Sequence, residues 1–252
     1  MGLPRRLGFG QQASTVEHLE ELRSRLFVAG GAILAGTTGA YVVHRRILQL
    51  LVDPLPPGHR QLLALTVTEA FTTSLKLSIA AGLAIASPVM LWQLWAFLAP
   101  ALDPRARRAI APFAATAAAL LVSGVVFGDR VALPAALRFL TGYDSSTYDV
   151  RLRASAYISF AMLVIAACAA VFELPIAVLG LVRIGAVSST SLRRNRRRGY
   201  FVVACIGVAL PGIDPVTTIL ETIPLLLLFE ASIWASVICE RRWTPRAAYG
   251  AS

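Results

Sequence analysis

The chain has 252 residues, 56% of them hydrophobic and 15% charged, with a formal net charge of +10. A soluble domain carries roughly 25% charged residues, so the composition excludes a water-soluble globule and points to a polytopic membrane protein. Six spans of about 20 residues each would place roughly 120 residues in lipid, which leaves no room for a separate soluble catalytic domain.

Residues 1–25 are largely polar. Within them Ser14 and Glu17 have the spacing of a capping box, and Leu19, Leu22 and Leu26 recur at helical spacing, which predicts an amphipathic helix leading into the first span. The first apolar block has no small-residue cleavage pattern at its end, so it reads as a retained span and not as a cleaved signal peptide. Apolar runs between charges predict spans at about 26–43, 71–97, 109–127, 157–182, 199–211 and 216–238. The fifth is short: the eleven residues from Tyr200 to Leu210, at about 1.5 Å each, reach only half of a hydrocarbon core. Pro88, Pro175 and Pro224 fall inside the second, fourth and sixth spans, where each removes a backbone bond and predicts a kink. Trp92, Trp95 and Phe97 fit an interfacial aromatic belt, and Lys76 is placed to snorkel. Cys168, Cys205 and Cys239 lie in or beside apolar blocks without paired spacing, as small core residues rather than a disulfide framework or a metal site.

Of the 24 basic residues, 23 are Arg, clustered at the ends of apolar blocks. That distribution encodes topology rather than nucleic-acid binding. Sixteen arginines fall on the side of the two termini and seven on the other, so both termini are expected to be cytoplasmic. The expected divisions are a cytoplasmic N-terminal segment (1–25), a six-span domain (26–238) and a cytoplasmic tail (239–252).

Few residues could carry chemistry. Glu21 and Arg25 have the spacing of an i,i+4 pair on a solvated helix. Glu173, two residues before Pro175, is an ionisable group at membrane depth. It marks either a functional site facing the bundle interior or a protonated side chain bonding the carbonyl freed by the proline. Asp214-Pro215 has the form of an N-cap followed by proline at N1, starting the sixth span. Glu221 and Glu230 are nine residues apart, on opposite faces of one helix, and cannot form one two-carboxylate site. There is no P-loop, no HExxH and no nucleophile elbow, so no nucleotide, metal or other cofactor is expected and the chain does not read as an enzyme.

The stretch His18-Leu19-Glu20-Glu21-Leu22-Arg23-Ser24-Arg25-Leu26 resembles the N-terminal signature of the TatC family, the multispanning subunit of the twin-arginine protein translocase. The resemblance continues through Pro54, Glu69-x-Phe71 with Lys76, and Pro88-x-x-x-x-Gln93-x-Trp95-x-Phe97-x-x-Pro100. Further along it takes in Phe172-Glu173-Leu174-Pro175, Arg198-x-Tyr200, Asp214-Pro215, Ile223-Pro224 and Phe229-Glu230, covering roughly residues 14–235. It implies an all-α integral membrane protein, a kinked, cup-like bundle of six transmembrane helices with short fifth and sixth helices, in the bacterial cytoplasmic membrane. It also implies binding of twin-arginine signal peptides on the cytoplasmic face and export of folded proteins driven by the proton motive force. A guanidinium fork pairs bidentately with a carboxylate where Lys offers a point charge. Glu21 is the implied contact for a signal arginine, with Arg23, His18, Phe97 and Asp103 around it. Glu173, Asp214, Glu69 and Glu230 are the implied intramembrane functional residues. Implied partners are single-span TatA-type and TatB-type subunits, precursor signal peptides, membrane lipid and further copies of the chain, and no nucleic acid.

Two positions depart from the family. Its first cytoplasmic loop carries an acid just before paired basic residues, whereas this chain reads Asp103-Pro104-Arg105-Ala106-Arg107-Arg108, with Ala106 there and Asp103 three residues upstream. Thr218 stands where the family has glutamine. These departures raise a second reading, a divergent paralogue that scaffolds the complex with weakened signal binding. A third, a proton-coupled small-solute transporter, would use Glu173, Glu221 and Glu230, but it leaves the Glu21 helix and the ordered motifs without a role.

Overall fold

The computed structural model describes residues 15–56, 60–98, 110–143, 151–183, 185–209 and 215–243. The helices are α1 (Thr15–Val42), α2 (His44–Val52), α3 (Glu69–Leu98), α4 (Ile110–Phe127), α5 (Leu133–Gly142), α6 (Ala154–Phe172), α7 (Leu174–Arg183), α8 (Ser189–Arg194), α9 (Arg196–Ala209) and α10 (Pro215–Trp243). A π-helical turn, Gly128–Ala132, joins α4 to α5. Among the described residues five helices are long and apolar enough to cross a membrane. The fifth span in chain order is the 14-residue α9, short as its brief apolar run predicts, whereas the sixth, α10, runs for 29 residues and is not the short helix the resemblance implies.

Boundaries differ from the sequence reading where charge misleads. The third helix does not end at 127: it continues through the π turn and α5 to Gly142, past Asp129, Arg130 and Arg138. Asp129 and Arg130 pair with each other at 3.0 Å, and a helix of this length projects its polar end beyond the lipid. The fourth span is broken, α6 ending at Phe172 and α7 starting at Leu174, just ahead of Pro175. By contrast α3 and α10 run helical through Pro88 and Pro224. The short α2 has no counterpart in the sequence reading. Cys168 is buried as expected, but Cys205 is exposed on α9 and Cys239 half-buried.

Small residues bring the helices together, as they must where lipid removes the hydrophobic drive for helix association. On α1 the approach is at Gly36 and buried Ala40; on α3 it is at buried Ser78, Gly82 and buried Ala86, a small residue every fourth position. A Cβ on Gly36 would lie 2.7 Å from the Gly82 carbonyl oxygen. Gly124 and Gly128 do the same for α4 against α6, where a Cβ would meet the Ala169 and Ile165 Cα atoms at 2.7 and 2.9 Å. Contacts move forward on one helix and back on its neighbour, from Arg25–Gln93 to Gly36–Gly82 and from Gly199–Phe229 to Gly207–Thr222. Successive spans are therefore antiparallel, and the N-terminus of α1 shares one end of the bundle with the C-termini of α3, α7 and α10.

The opposite end is sealed. Leu51 of α2 and Leu55 pack with Leu77, Leu133, Leu137, Tyr157 and Ile158, the largest buried cluster among the described residues, and the Tyr157 hydroxyl donates to the Leu51 carbonyl.

Candidate functional site

The polar groups lie at three levels. At the open end, Glu21 sits two turns into α1, where Arg25 lies one turn on. Arg25 donates from Nε and Nη2 to Glu21 Oε1 at 3.1 and 2.6 Å, and from Nη1 to Gln93 Oε1 of α3 at 3.1 Å. An i,i+4 pair is worth only a few tenths of a kcal/mol, so its consequence is geometric: the carboxylate is pinned to the α1–α3 seam. Both Arg25 bonds fall on Oε1, and among the described residues Oε2 has no donor, which leaves it to accept from outside. Arg23 turns its guanidinium over the exposed Phe27 ring, 5.6 Å from the centroid, and the Leu19, Leu22 and Leu26 stripe is exposed along the same helix. Phe97 is half-buried near the end of α3. The His18 side chain, Asp103, Ala106 and Asp214 lie outside the described residues; Pro215 does begin α10.

Glu230 also belongs to the open end. It accepts from the Tyr200 hydroxyl and from Trp234 Nε1 at 2.9 Å, and pairs with Arg196 Nη2 at 3.1 Å. This cluster locks α9 to α10, where the Phe229 ring fills the space beside Gly199 and meets Tyr200 edge-on. Glu221, two and a half turns earlier, is instead 1% exposed, so the two carboxylates occupy different faces as their spacing predicts.

At middle depth, Glu173 occupies the break between α6 and α7. Its backbone N–H donates to the Ala170 carbonyl at 3.2 Å and its own carbonyl accepts from Ala177 at 3.0 Å. Both carboxyl oxygens are buried with no hydrogen-bond partner. The proline-freed carbonyl therefore does not hold this side chain.

Glu69 is at the sealed end, the first residue of the second apolar span. As the first residue of α3 it accepts from the Leu65 N–H at 2.9 Å, the Ser155 N–H at 3.1 Å and Arg153 Nε at 2.9 Å. Beside it Leu63 pairs with the 152–154 backbone. Its carboxylate is a clip between two outer segments.

The structure thus brings Glu21, Arg23 and Glu230 to one end and separates them from Glu173 and Glu69. Sequence reasoning missed Gln93 as the anchor of Arg25, although it stood in a quoted motif, and missed the Arg196, Tyr200 and Trp234 shell of Glu230. The arginines at 193–198 were counted only for topology. They line two cavities of about 750 and 540 Å3.

A family model described as Sec-independent protein translocase protein (TatC) matches residues 17–224. The Sec-independent protein translocase protein TatC of Carboxydothermus hydrogenoformans is 36% identical over 219 residues, 86% of this chain and 90% of that one. The TatC protein of Aquifex aeolicus is 34% identical over 230 residues, covering 90% and 95%. A crystal structure of the twin arginine translocase receptor TatC in DDM superposes with a TM-score of 0.76 at 33% identity, covering 87% of this chain and 99% of that one. The chain belongs to the TatC family of Sec-independent protein translocase proteins, multi-pass membrane transport components rather than enzymes.

Proposed function

We propose that this chain is the core receptor subunit of a twin-arginine translocase in the bacterial cytoplasmic membrane. It binds twin-arginine signal peptides at the Glu21 end and mediates proton-motive-force-driven export of folded proteins. One observation carries the reading: the Glu21 carboxylate is pinned to the α1–α3 seam by Arg25, with Oε2 unengaged among the described residues, while the exposed Leu19, Leu22 and Leu26 stripe runs along the other flank of the same helix, about 100–160° round from it. A signal peptide offers the complement, a positively charged segment followed by an apolar one. The guanidinium fork fits a carboxylate better than an ammonium does. Arg23 and His18 shape the setting of the carboxylate, Phe97 flanks it from α3, and Asp103 supplies a second acid from the first cytoplasmic loop. Glu173 and Asp214 serve transport, and Glu230 serves it through the α9–α10 lock. Both termini are cytoplasmic, with residues 1–25 and 239–252 flanking the 26–238 membrane domain. Single-span TatA-type and TatB-type subunits and further copies of the chain pack on the exposed membrane faces.

The test is photocrosslinking in membranes from a photoreactive residue at position 19 to a signal peptide carrying Arg-Arg or Lys-Lys. The Arg-Arg crosslink is expected to fall about tenfold with Lys-Lys and equally with Glu21→Gln, and to rise with Ala106→Glu. Equal crosslinking of both peptides, or no effect of Glu21→Gln in correctly inserted protein, overturns the assignment.

A further inference from the structure

The arginines between α7 and α9 are unbalanced. Arg183, Arg193, Arg194, Arg196, Arg197 and Arg198 fall in a stretch with no acid between Glu173 and Asp214. The fold partly answers this charge from α10. Glu230 takes Arg196 at 3.1 Å, while Glu240 Oε2 accepts from the Ser189 N–H at 3.0 Å. Arg193 and Arg194 are exposed, and among the described residues neither has a carboxylate within ion-pair distance. They line the cavity of about 750 Å3 together with Arg196, Trp234 and Glu240, whose carboxylate is engaged by the Ser189 N–H. The Arg193 and Arg196 guanidiniums both approach the Trp234 ring, at 5.9 and 5.5 Å from its centroid, the pairing of cations with an amphipathic ring that suits a membrane interface.

The surface leading away from the cavity has the opposite character. Ile223, Leu227, Trp234 and Ile238 are all exposed and lie along one face of α10, since their spacings return to the same side of a helix. Glu230 shares that face with its charge answered by Arg196. A basic recess at the interface that opens onto an apolar track suits a ligand with an anionic head and hydrocarbon chains. A soluble anion would use the recess but not the track.

We propose that this cavity is a binding site for an anionic phospholipid, with Arg193 and Arg194 taking headgroup phosphate and the acyl chains lying along Ile223, Leu227 and Trp234. Phosphate suits the guanidinium fork, and basic pockets between membrane helices select anionic headgroups by charge. The site is separate from the proposed signal-binding residues.

The test uses the purified full-length chain in detergent, titrated with cardiolipin or phosphatidylcholine and read by native mass spectrometry. Cardiolipin is expected to bind at least tenfold more tightly than phosphatidylcholine. Arg193→Gln with Arg194→Gln should weaken cardiolipin binding about five- to thirtyfold. Arg193→Lys with Arg194→Lys should keep most of it, and Arg138→Gln at the sealed end all of it. Matched thermal unfolding of the Gln and Lys pairs keeps the comparison free of folding effects. Equal binding of the two lipids, or unchanged binding in the Gln pair, overturns the proposal. So does displacement of cardiolipin by equimolar pyrophosphate, which would make the recess a free-anion site. Displacement by an equimolar soluble acidic peptide would assign it to a protein partner instead, and likewise overturns the lipid assignment.

Discussion

At the residue scale, the same side-chain type does three unlike jobs in this chain, and the neighbours decide which. Glu69 has 2% of its side chain exposed and takes three donors, whereas its partner Arg153 is 48% exposed. The two ends of this ion pair are therefore unequal. Removing Arg153 leaves the buried carboxylate with two backbone N–H groups, and removing Glu69 takes the shared acceptor from both N–H groups at once while a half-exposed arginine turns to water. Glu69→Ala should consequently lower the detergent melting temperature more than Arg153→Ala, with signal-peptide crosslinking unchanged in Arg153→Ala. Equal losses from the two variants would show that the clip is held by the ion pair alone. None of this was legible in sequence, because the partners are 84 residues apart and no periodicity links them. The Glu21–Arg25 pair was legible, because i,i+4 spacing on a helix leaves few other geometries.

At the element scale, hydropathy located every long helix but not its ends, and the reason is physical. A span is defined by lipid thickness, whereas a helix continues for as long as its backbone bonds are satisfied. Thus α1 begins at Thr15, well ahead of its apolar core, and the third helix carries Arg130 and Arg138 past the lipid to Gly142. The nine-residue α2 is too short to register as a span, and it is visible only once its buried Leu51 is seen packed on other elements. Helix pairing was likewise hidden, because glycines recur along the chain and only the structure tells a contact glycine from an open one. Gly82 would drive a Cβ into the Thr37 backbone, while Gly30 has open space around it. Gly82→Ala must separate α1 from α3 and should cost about 1–3 kcal/mol, read as a lower melting temperature and loss of the Arg25–Gln93 seam. Gly30→Ala should be neutral or slightly stabilising through helix propensity. Equal effects at the two positions would mean that the α1–α3 approach is looser than the Gly36–Gly82 contact requires.

At the scale of the whole molecule, the bundle is asymmetric along its axis. One end is closed by α2, by the cluster around Leu51 and Tyr157 and by the Glu69 clip; the other carries the Glu21 seam, the Glu230 lock and the arginine-lined cavities. The positive-inside rule and the proposed signal-peptide role both predict the open, basic end on the cytoplasmic side and the sealed end on the outer side. Arginine counting alone could give the sign of this asymmetry but not its structural content. Single cysteines resolve it in a chain whose native Cys168, Cys205 and Cys239 are replaced by alanine. Tyr143→Cys, at the exposed end of the third helix, should react in intact spheroplasts with a membrane-impermeant maleimide. Thr190→Cys, on the exposed side of α8, should react only after lysis. The reverse pattern would put the Glu21 end outside the cell and remove the cytoplasmic receptor reading with it. Labelling of both positions before lysis in sealed cells would require an inserted population of mixed orientation, which sixteen arginines on one side against seven on the other should not produce.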